Sequence, residues 1–341
     1  MYLNILNAVI EITQHKDLEA LDSSLIETLA KIVPADKVEL NHFYFDKLSK
    51  KISRTEQVVY SKKDNQHICT LLEDSEVSLA IRGSVTANFA FLAPLSDKKW
   101  HFILPIPVND KVEACISFTS KKDLNKHRYI IEAFVTIYAN HLSIINDSER
   151  DELTGLLNRK SFHKKIQRLL NIQKNKHLTD IQEHNRRKVL PETSAWLAIV
   201  DIDHFKNVND TFGHIYGDEV LLLLSQKLRT NFRHSDLPFR FGGEEFVIVL
   251  EPIDELSAAN VLERFRHEIE QFEFPRVGQI TVSIGYIKLG ENDFPPHAIG
   301  NADRALYYAK DNGRNKVFRY ETLIENGLLP PADNESSIEL F

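Results

Sequence analysis

The sequence predicts an α+β chain of two units, and three stretches carry that reading. Phe239-Arg240-Phe241 and the apolar run Phe246 to Leu250 flank a short gap holding Gly242-Gly243-Glu244-Glu245. β-prone segments on both sides of a two-glycine gap are the pattern of a hairpin. Ala195 to Val200 is a second apolar run, as long as a buried strand, and it stops abruptly at Asp201-Ile202-Asp203. Before these, up to about residue 145, helical and strand-like periodicities alternate. The hairpin makes the centre of the second sheet antiparallel.

In the first unit, Leu18, Leu21, Leu25, Ile26, Leu29 and Ile32 recur with helical spacing. Val38 opens a strand-like stretch through Phe45. His101 to Val108 and Val112 to Thr119 read as two more strands, joined by the tight-turn composition Asn109-Asp110-Lys111. A long helix follows from about Leu124 to Arg150. On it Ile130, Ile131, Phe134, Ile137, Tyr138, His141, Leu142 and Ile145 recur at helical spacing. That face either lines a dimer seam or packs back onto the strands of the first unit. The order of helix, strand, hairpin and helix resembles a GAF or related PAS-like sensor domain, which implies a ligand-responsive module. A noncatalytic dimerisation module has the same outline. No haem, flavin or cyclic-nucleotide signature accompanies it, so the sensor ligand is unknown.

In the second unit, Gly242 and Gly243 let the backbone take positive φ and keep the approach to the turn clear. Glu244 and Glu245 at its tip repel each other unless a cation or a donor-rich ligand is near. The alternative is an ordinary solvated hairpin tip. Asp201 stands where a strand opens to solvent, and Mg²⁺ takes one or two carboxylates together with waters and phosphate oxygens. If that strand lies beside the hairpin, Asp201 and Glu244 converge on one ion, with the backbone carbonyl of Ile202 as a further hard oxygen. Asp201 and Asp203 could instead cap the following helix, and for Asp203 capping is the better expectation. Lys206 can reach phosphate oxygens as a point charge, or stand solvated. Asn209 and Asp218 offer acceptor and donor groups to a polar ligand, or act as a helix cap and a first-turn acid. Lys310 and Arg314 flank Asp311-Asn312-Gly313, a cation pair that suits a triphosphate and a helix C-terminus alike. Arg233-His234-Ser235-Asp236 ends six residues before Gly242. It supplies a planar donor fork and an acceptor, or is a surface charge pair.

Taken in order, these stretches closely resemble the GGDEF family, the diguanylate cyclases. Asp151-Glu152-Leu153-Thr154-Gly155-Leu156-Leu157-Asn158-Arg159 is similar to its opening signature. Asp201 to Asp210 is similar to its metal strand and following helix, and Gly213 to Asp218 to its base-binding segment. Arg240 to Phe246 is the Glu variant of the name motif. Thr281 to Gly285, Ala302 to Lys310 and Gly313-Arg314-Asn315 complete the series, which covers about residues 149–320. The resemblance implies condensation of two GTP into cyclic di-GMP with release of pyrophosphate, in a homodimer and with Mg²⁺ or Mn²⁺. It implies Glu244, Glu245 and Lys206 as catalytic groups. Asp201, Ile202 and Glu244 would hold the metal. Phe205, Asn209, Asp218, Gly242, Gly243, Lys310 and Arg314 would bind substrate. Arg233 and Asp236 would form a product-inhibition site, on the strand leading into the hairpin. The rival reading is a catalytically silent cyclic di-GMP receptor.

The composition agrees. A chain of 341 residues holds two or three domains, and 43% hydrophobic with 27% charged residues is ordinary for a globular protein. A net charge of −7 argues against nucleic acid or an anionic membrane as partner. Two cysteines and 14 scattered histidines suggest neither disulfides nor zinc. No apolar run approaches a membrane span, and the start lacks a basic signal-peptide region, so a cytoplasmic location is expected. The expected boundaries are a sensor over 1–123, a signalling helix over 124–150, the catalytic domain over 151–322 and a flexible tail over 323–341. A polar segment over 171–193 reads as a loop or helix extension.

Overall fold

The computed structural model describes residues 2–15, 17–45, 52–61, 66–72, 77–94, 98–109, 111–167, 169, 193–233, 235–290 and 295–331. The expectation for the polar segment 171–193 falls almost wholly outside them. The chain divides into two units, Met1–Ser148 and Glu149–Phe341.

The first unit is built on α1 (Tyr2–Gln14), α2 (Leu18–Ile32), β1 (Lys37–Phe45), β2 (Ile52–Ser61), β3 (Gln66–Leu72), α3 (Leu79–Ala87), β4 (Phe91–Pro94), β5 (Trp100–Val108), β6 (Lys111–Ser120) and α4 (Arg128–Ser148). Asp17 caps α2 by accepting from the Ala20 amide at 2.9 Å. The strands form one antiparallel sheet in the order β3-β2-β1-β6-β5-β4. Alternation along β1 sends Val38 and Leu40 into a core with α1, α2 and α4, and Phe43 into a smaller cluster with α3.

The structure decides between the two readings of α4, adds elements and corrects the tail. The apolar face of α4 is not a free seam: Ile131, Phe134, Tyr138, Leu142 and Ile145 are buried in the core of the first unit. Helical periodicity reports that a face is covered and not by what. Strands β2 to β4 and helix α3 were not anticipated. The expected tail also begins too early. Leu323, on a short helix over Tyr320–Glu325, is 1% exposed and completes a core of the second unit.

The second unit continues with β7 (Leu157–Asn158), helix α5 (159–167), β8 (Ser194–Ile202), α6 (Phe205–Phe212), α7 (His214–Asn231), β9 (Leu237–Gly242), β10 (Glu245–Ile253), α8 (Glu255–Gln271), β11 (Glu273–Phe274), β12 (Gly278–Gln279), β13 (Val282–Leu289), α9 (Pro295–Asp311), β14 (Val317–Arg319) and α10 (Tyr320–Glu325). Its main sheet has the order β14-β13-β8-β10-β9-β7. The four central strands are antiparallel and the two edge strands pair in parallel. Strand parity decides what faces what. Trp196, Ala198, Val200 and Ile202 of β8 enter the core with α6, α7 and α8. Ala195, Leu197 and Ile199 enter the core with α5, α9 and α10, so Asp201 belongs to the α9 side.

Helix α9 lies close on β13 because both surfaces are small. Ala298, Ala302, Ala305 and Ala309 are buried along it. A Cβ on Gly285 of β13 would meet the Ala302 carbonyl oxygen and the Leu306 nitrogen, each at 2.2 Å. Both are backbone atoms and cannot turn aside. Gly285→Ala should therefore destabilise the second unit by about 3 kcal/mol in denaturant unfolding. A midpoint at the wild-type value would show that α9 can move off the sheet freely. In the first unit, Leu142→Asp puts a charge among core side chains and should cost about 3 kcal/mol or more of its stability. If the variant unfolds like wild type and changes only its self-association, this face is a seam after all.

Candidate active site

The strand ends bring the acids together. Glu245 pairs in register with Asp201 across β10 and β8, and Ser283 pairs with Asp201 from β13. Odd parity on β8 and β10 puts both acids on the α9 side. The turn before β10 carries Glu244. Gly243 has φ 50° and Gly242 φ 153°, conformations that side chains rarely adopt. The pairing shifts by one residue between Glu245 and Phe246, a bulge at the acidic turn.

Asp201 is 3% exposed, and the Lys310 ammonium stands 2.8 Å from its Oδ1. Burial pushes the Asp201 carboxyl above the usual range; Lys310 opposes this, while Asp203 and Asp303 add to it. Glu244 is raised by burial and then by Asp201, with Glu245 adding a smaller push. Glu245 is raised by burial, Asp201 and Asp303. Four carboxylates thus crowd one sheet end, with Lys310 as a fixed counter-charge. Asp303 was not singled out in the sequence. Its separation from Lys310, two helical turns on α9, was the available signal.

This donor set fits a hard divalent cation. Its oxygens are carboxylates, and the site already draws an ammonium into contact with Asp201. Among the described residues, no group of three or more His, Cys, Asp or Glu is placed to hold a metal ion by itself. An ion held by one or two carboxylates and completed by substrate oxygens requires none.

Other expected residues lie on α6, near the start of α7 and in the loop after α9. Asn209 lies inside α6 and is not a cap; its backbone carbonyl accepts from the Gly213 amide at 2.9 Å. A Cβ on Gly217 would fall 2.0 Å from Asn209 Oδ1 and 3.3 Å from the Phe205 ring. Glycine there lets Asn209 and Phe205 pack against the turn that carries the exposed Asp218. Lys206 is exposed on the first turn of α6. Arg314, with φ 60°, follows α9, and its amide donates to the Ala309 carbonyl at 3.0 Å.

Two expectations change. Asp203 does not cap α6: His204 holds that position without a side-chain bond. The Asp203 carboxylate is instead 5% exposed and accepts from Thr281, Ser283 and the Asn315 amide. The Arg-x-x-Asp pair lies in the turn before β9 and not on the strand. Six strand residues, about 20 Å, separate it from the acidic turn. Asp236 is 7% exposed and accepts from the amides of Arg233 at 2.8 Å and Glu251 at 3.1 Å.

A clamp that was not foreseen fixes the turn. Arg240 donates to the Gly243 carbonyl at 2.9 and 3.2 Å and to the Asp151 carboxylate at 3.1 and 3.3 Å. Asp151 also accepts from the amide and hydroxyl of Thr154 at 2.8 and 2.6 Å, and Arg229 donates to the Thr154 carbonyl. The opening signature and the acidic turn are thereby tied together.

Residues 148–316 match the family model described as "Diguanylate cyclase, GGDEF domain". The chain is 36% identical over 178 residues to the probable diguanylate cyclase DgcT of Escherichia coli K12, covering 50% of this chain and 36% of that protein. It is 30% identical over 245 residues to the probable diguanylate cyclase DgcC of the same organism, covering 71% of this chain and 57% of that protein. The chain thus spans less than two thirds of the length of either. Among solved structures it is similar to the GGDEF domain of DgcB from Caulobacter crescentus in complex with c-di-GMP. That match has 30% identity and a TM-score of 0.45, and covers 51% of this chain and 94% of that one. Residues 148–316 are thus a GGDEF domain.

Asp151 yields a pH test. Burial pushes its carboxyl up, but the bonds from Thr154 and then Arg240 outweigh burial and hold it below the ordinary 3.8. A lowered folded value stabilises the protein above the unfolded value and loses that contribution as pH falls through the folded one. Asp151→Asn should cost about 1–2 kcal/mol near neutral pH. The gap to wild type should begin to narrow below about pH 4 and close once the pH has fallen through the lower folded value. A gap that persists unchanged at low pH would remove the charge from the explanation.

Proposed function

We propose that the chain is a diguanylate cyclase that condenses two GTP into cyclic di-GMP and releases two pyrophosphates. The observation that carries this reading is the set of Asp201, Glu244 and Glu245 at one sheet end, balanced by Lys310, inside a GGDEF domain. In each half-reaction the 3′-oxygen of one GTP bonds to the α-phosphorus of the other. The bond from that phosphorus to the bridging oxygen breaks, and pyrophosphate leaves. Repeating the step in the opposite sense closes the ring.

Asp201, the Ile202 carbonyl and Glu244 would hold Mg²⁺ or Mn²⁺. When bound, such a cation supplies Lewis-acid polarisation and neutralises phosphate charge. Glu245, beside Glu244, accepts the proton of the attacking hydroxyl. Lys206, Lys310 and Arg314 bind the triphosphate and absorb the charge that develops on the leaving pyrophosphate. Asn209 and Asp218 pair with guanine beside Phe205, and Gly242 and Gly243 keep the approach free of side chains. Each domain binds one GTP, so the active species is a homodimer. The first unit, an α+β domain resembling GAF and PAS sensors, governs that pairing in response to a ligand yet to be identified. Arg233 and Asp236 form the site where product feeds back. Among the described residues no helix is long and apolar enough to cross a membrane.

Incubating the purified chain with GTP and Mg²⁺ and separating the products tests the reading directly. Glu244→Ala and Asp201→Ala should each lower cyclic di-GMP formation about 100-fold or more while leaving the unfolding midpoint close to wild type. Turnover near wild type in either variant would reject the assignment of that residue.

A further inference from the structure

We infer that Asp203 is a positioning residue that sets Arg314 for the triphosphate by fixing the loop after α9 to the ends of β8 and β13. This rests on the proposed GTP site. Asp203 follows the acidic strand end, yet both oxygens of its buried carboxylate are engaged by the protein. Oδ1 accepts from Ser283 Oγ at 2.7 Å, and Oδ2 accepts from Thr281 Oγ1 at 2.6 Å and the Asn315 amide at 3.0 Å. Its own amide donates to the Thr281 carbonyl at 2.9 Å. The residue is 5% exposed, so these bonds are made out of water.

The bond to Asn315 is the one that acts at a distance. Arg314 and Asn315 are consecutive left-handed residues, with φ 60° and 49°. Such a pair is strained for non-glycine residues and persists only where neighbours hold it. Asp203 holds the Asn315 amide. The Asn315 side chain is held in turn by Arg266, which donates to Oδ1 at 2.6 Å, and by Glu270, which accepts from Nδ2 at 2.6 Å. The backbone of Arg314 is therefore pinned on its C-terminal side by Asp203 and on its N-terminal side by its bond to Ala309. An arginine fork recognises phosphate by direction as well as charge. Releasing the Asn315 amide should let Arg314 leave the productive conformation without removing the guanidinium.

The test is a cycle of Asp203→Asn, Arg314→Ala and the double variant. Binding of a non-hydrolysable GTP analogue is read by calorimetry, turnover by product formation and folding by thermal unfolding. Asparagine keeps the size of aspartate but brings an N–H group against donors. Asp203→Asn should stay folded and bind the analogue about tenfold more weakly, with KM rising by a similar factor and kcat falling less. In the Arg314→Ala background the same change should alter affinity less than about twofold, because coupled residues are not additive. Asp203→Glu, which keeps the charge, should recover part of the loss. Additive effects in the cycle, or a lowered unfolding midpoint with wild-type KM, would overturn the inference. Analogue binding without any cyclic dinucleotide would overturn the proposed function and leave the inference to the binding cycle. No binding by the wild-type chain would overturn both.

Discussion

The second unit depends on one constraint: charges of the same sign must be held together at the ends of adjacent strands. Register places Glu245 opposite Asp201, and parity turns both toward α9. Partly shielded from water and close to one another, these carboxylates favour protonation, as the directions of their shifts have it. The arrangement survives because α9 brings Lys310 to Asp201. That contact in turn requires the close approach permitted by Gly285 and the buried alanines. Small residues in the core of the helix–sheet interface and acids at its end are therefore one design. A helix displaced by a single methyl would carry its cation away from the acids it balances.

Two hydrogen-bonded clamps convert this repulsive cluster into a fixed one. On one side Arg240 links the Gly243 carbonyl to Asp151. On the other, Asp203 links β13 to the loop after α9. Both use a charged partner in a half-buried or buried setting, where such bonds are worth more than neutral ones. A hairpin turn with two glycines would otherwise be among the most pliable parts of a sheet. Preorganisation here is carried by groups that need not touch a ligand.

What was legible in the sequence follows from how locally each feature is encoded. The hairpin, the strand ending in Asp201 and helix α2 are written in a few neighbouring residues, and each was read nearly to its ends. Asp203 was misread because aspartate after a strand is a good helix cap, while its partners Thr281, Ser283 and Asn315 are 78, 80 and 112 residues away. Asp303 was passed over because its two-turn spacing from Lys310 on α9 is the one local mark of its place, and that spacing says nothing of Glu245. The apolar stripe of α4 was seen in full, but a stripe has no label for what covers it. The Arg-x-x-Asp pair was recognised as a pattern and set on a strand that begins one residue later, at Leu237.

The chemistry proposed for the second unit constrains what the first can do. Joining two identical nucleotides by two identical attacks needs a pair of sites related by a twofold axis, so control can act through the pose of two chains and leave each site unaltered. In sequence, α4 ends at Ser148 and the second unit begins at Glu149, with no linker between them. Glu149 is also well tied into its own unit. Its carbonyl accepts from the Asn158 amide at 2.8 Å and from Ser161 Oγ at 3.2 Å, and its carboxylate pairs with Lys165 at 2.7 Å. At the other side of the junction, Tyr138 of α4 donates to Asp22 at 2.6 Å, which lies 2.9 Å from His42 of β1. A signal that shifts this buried group would act on the helix whose last residue precedes the second unit in sequence. Because α4 is a core helix of the first unit, such a signal has to repack a core, and packed cores switch between discrete arrangements more readily than they deform.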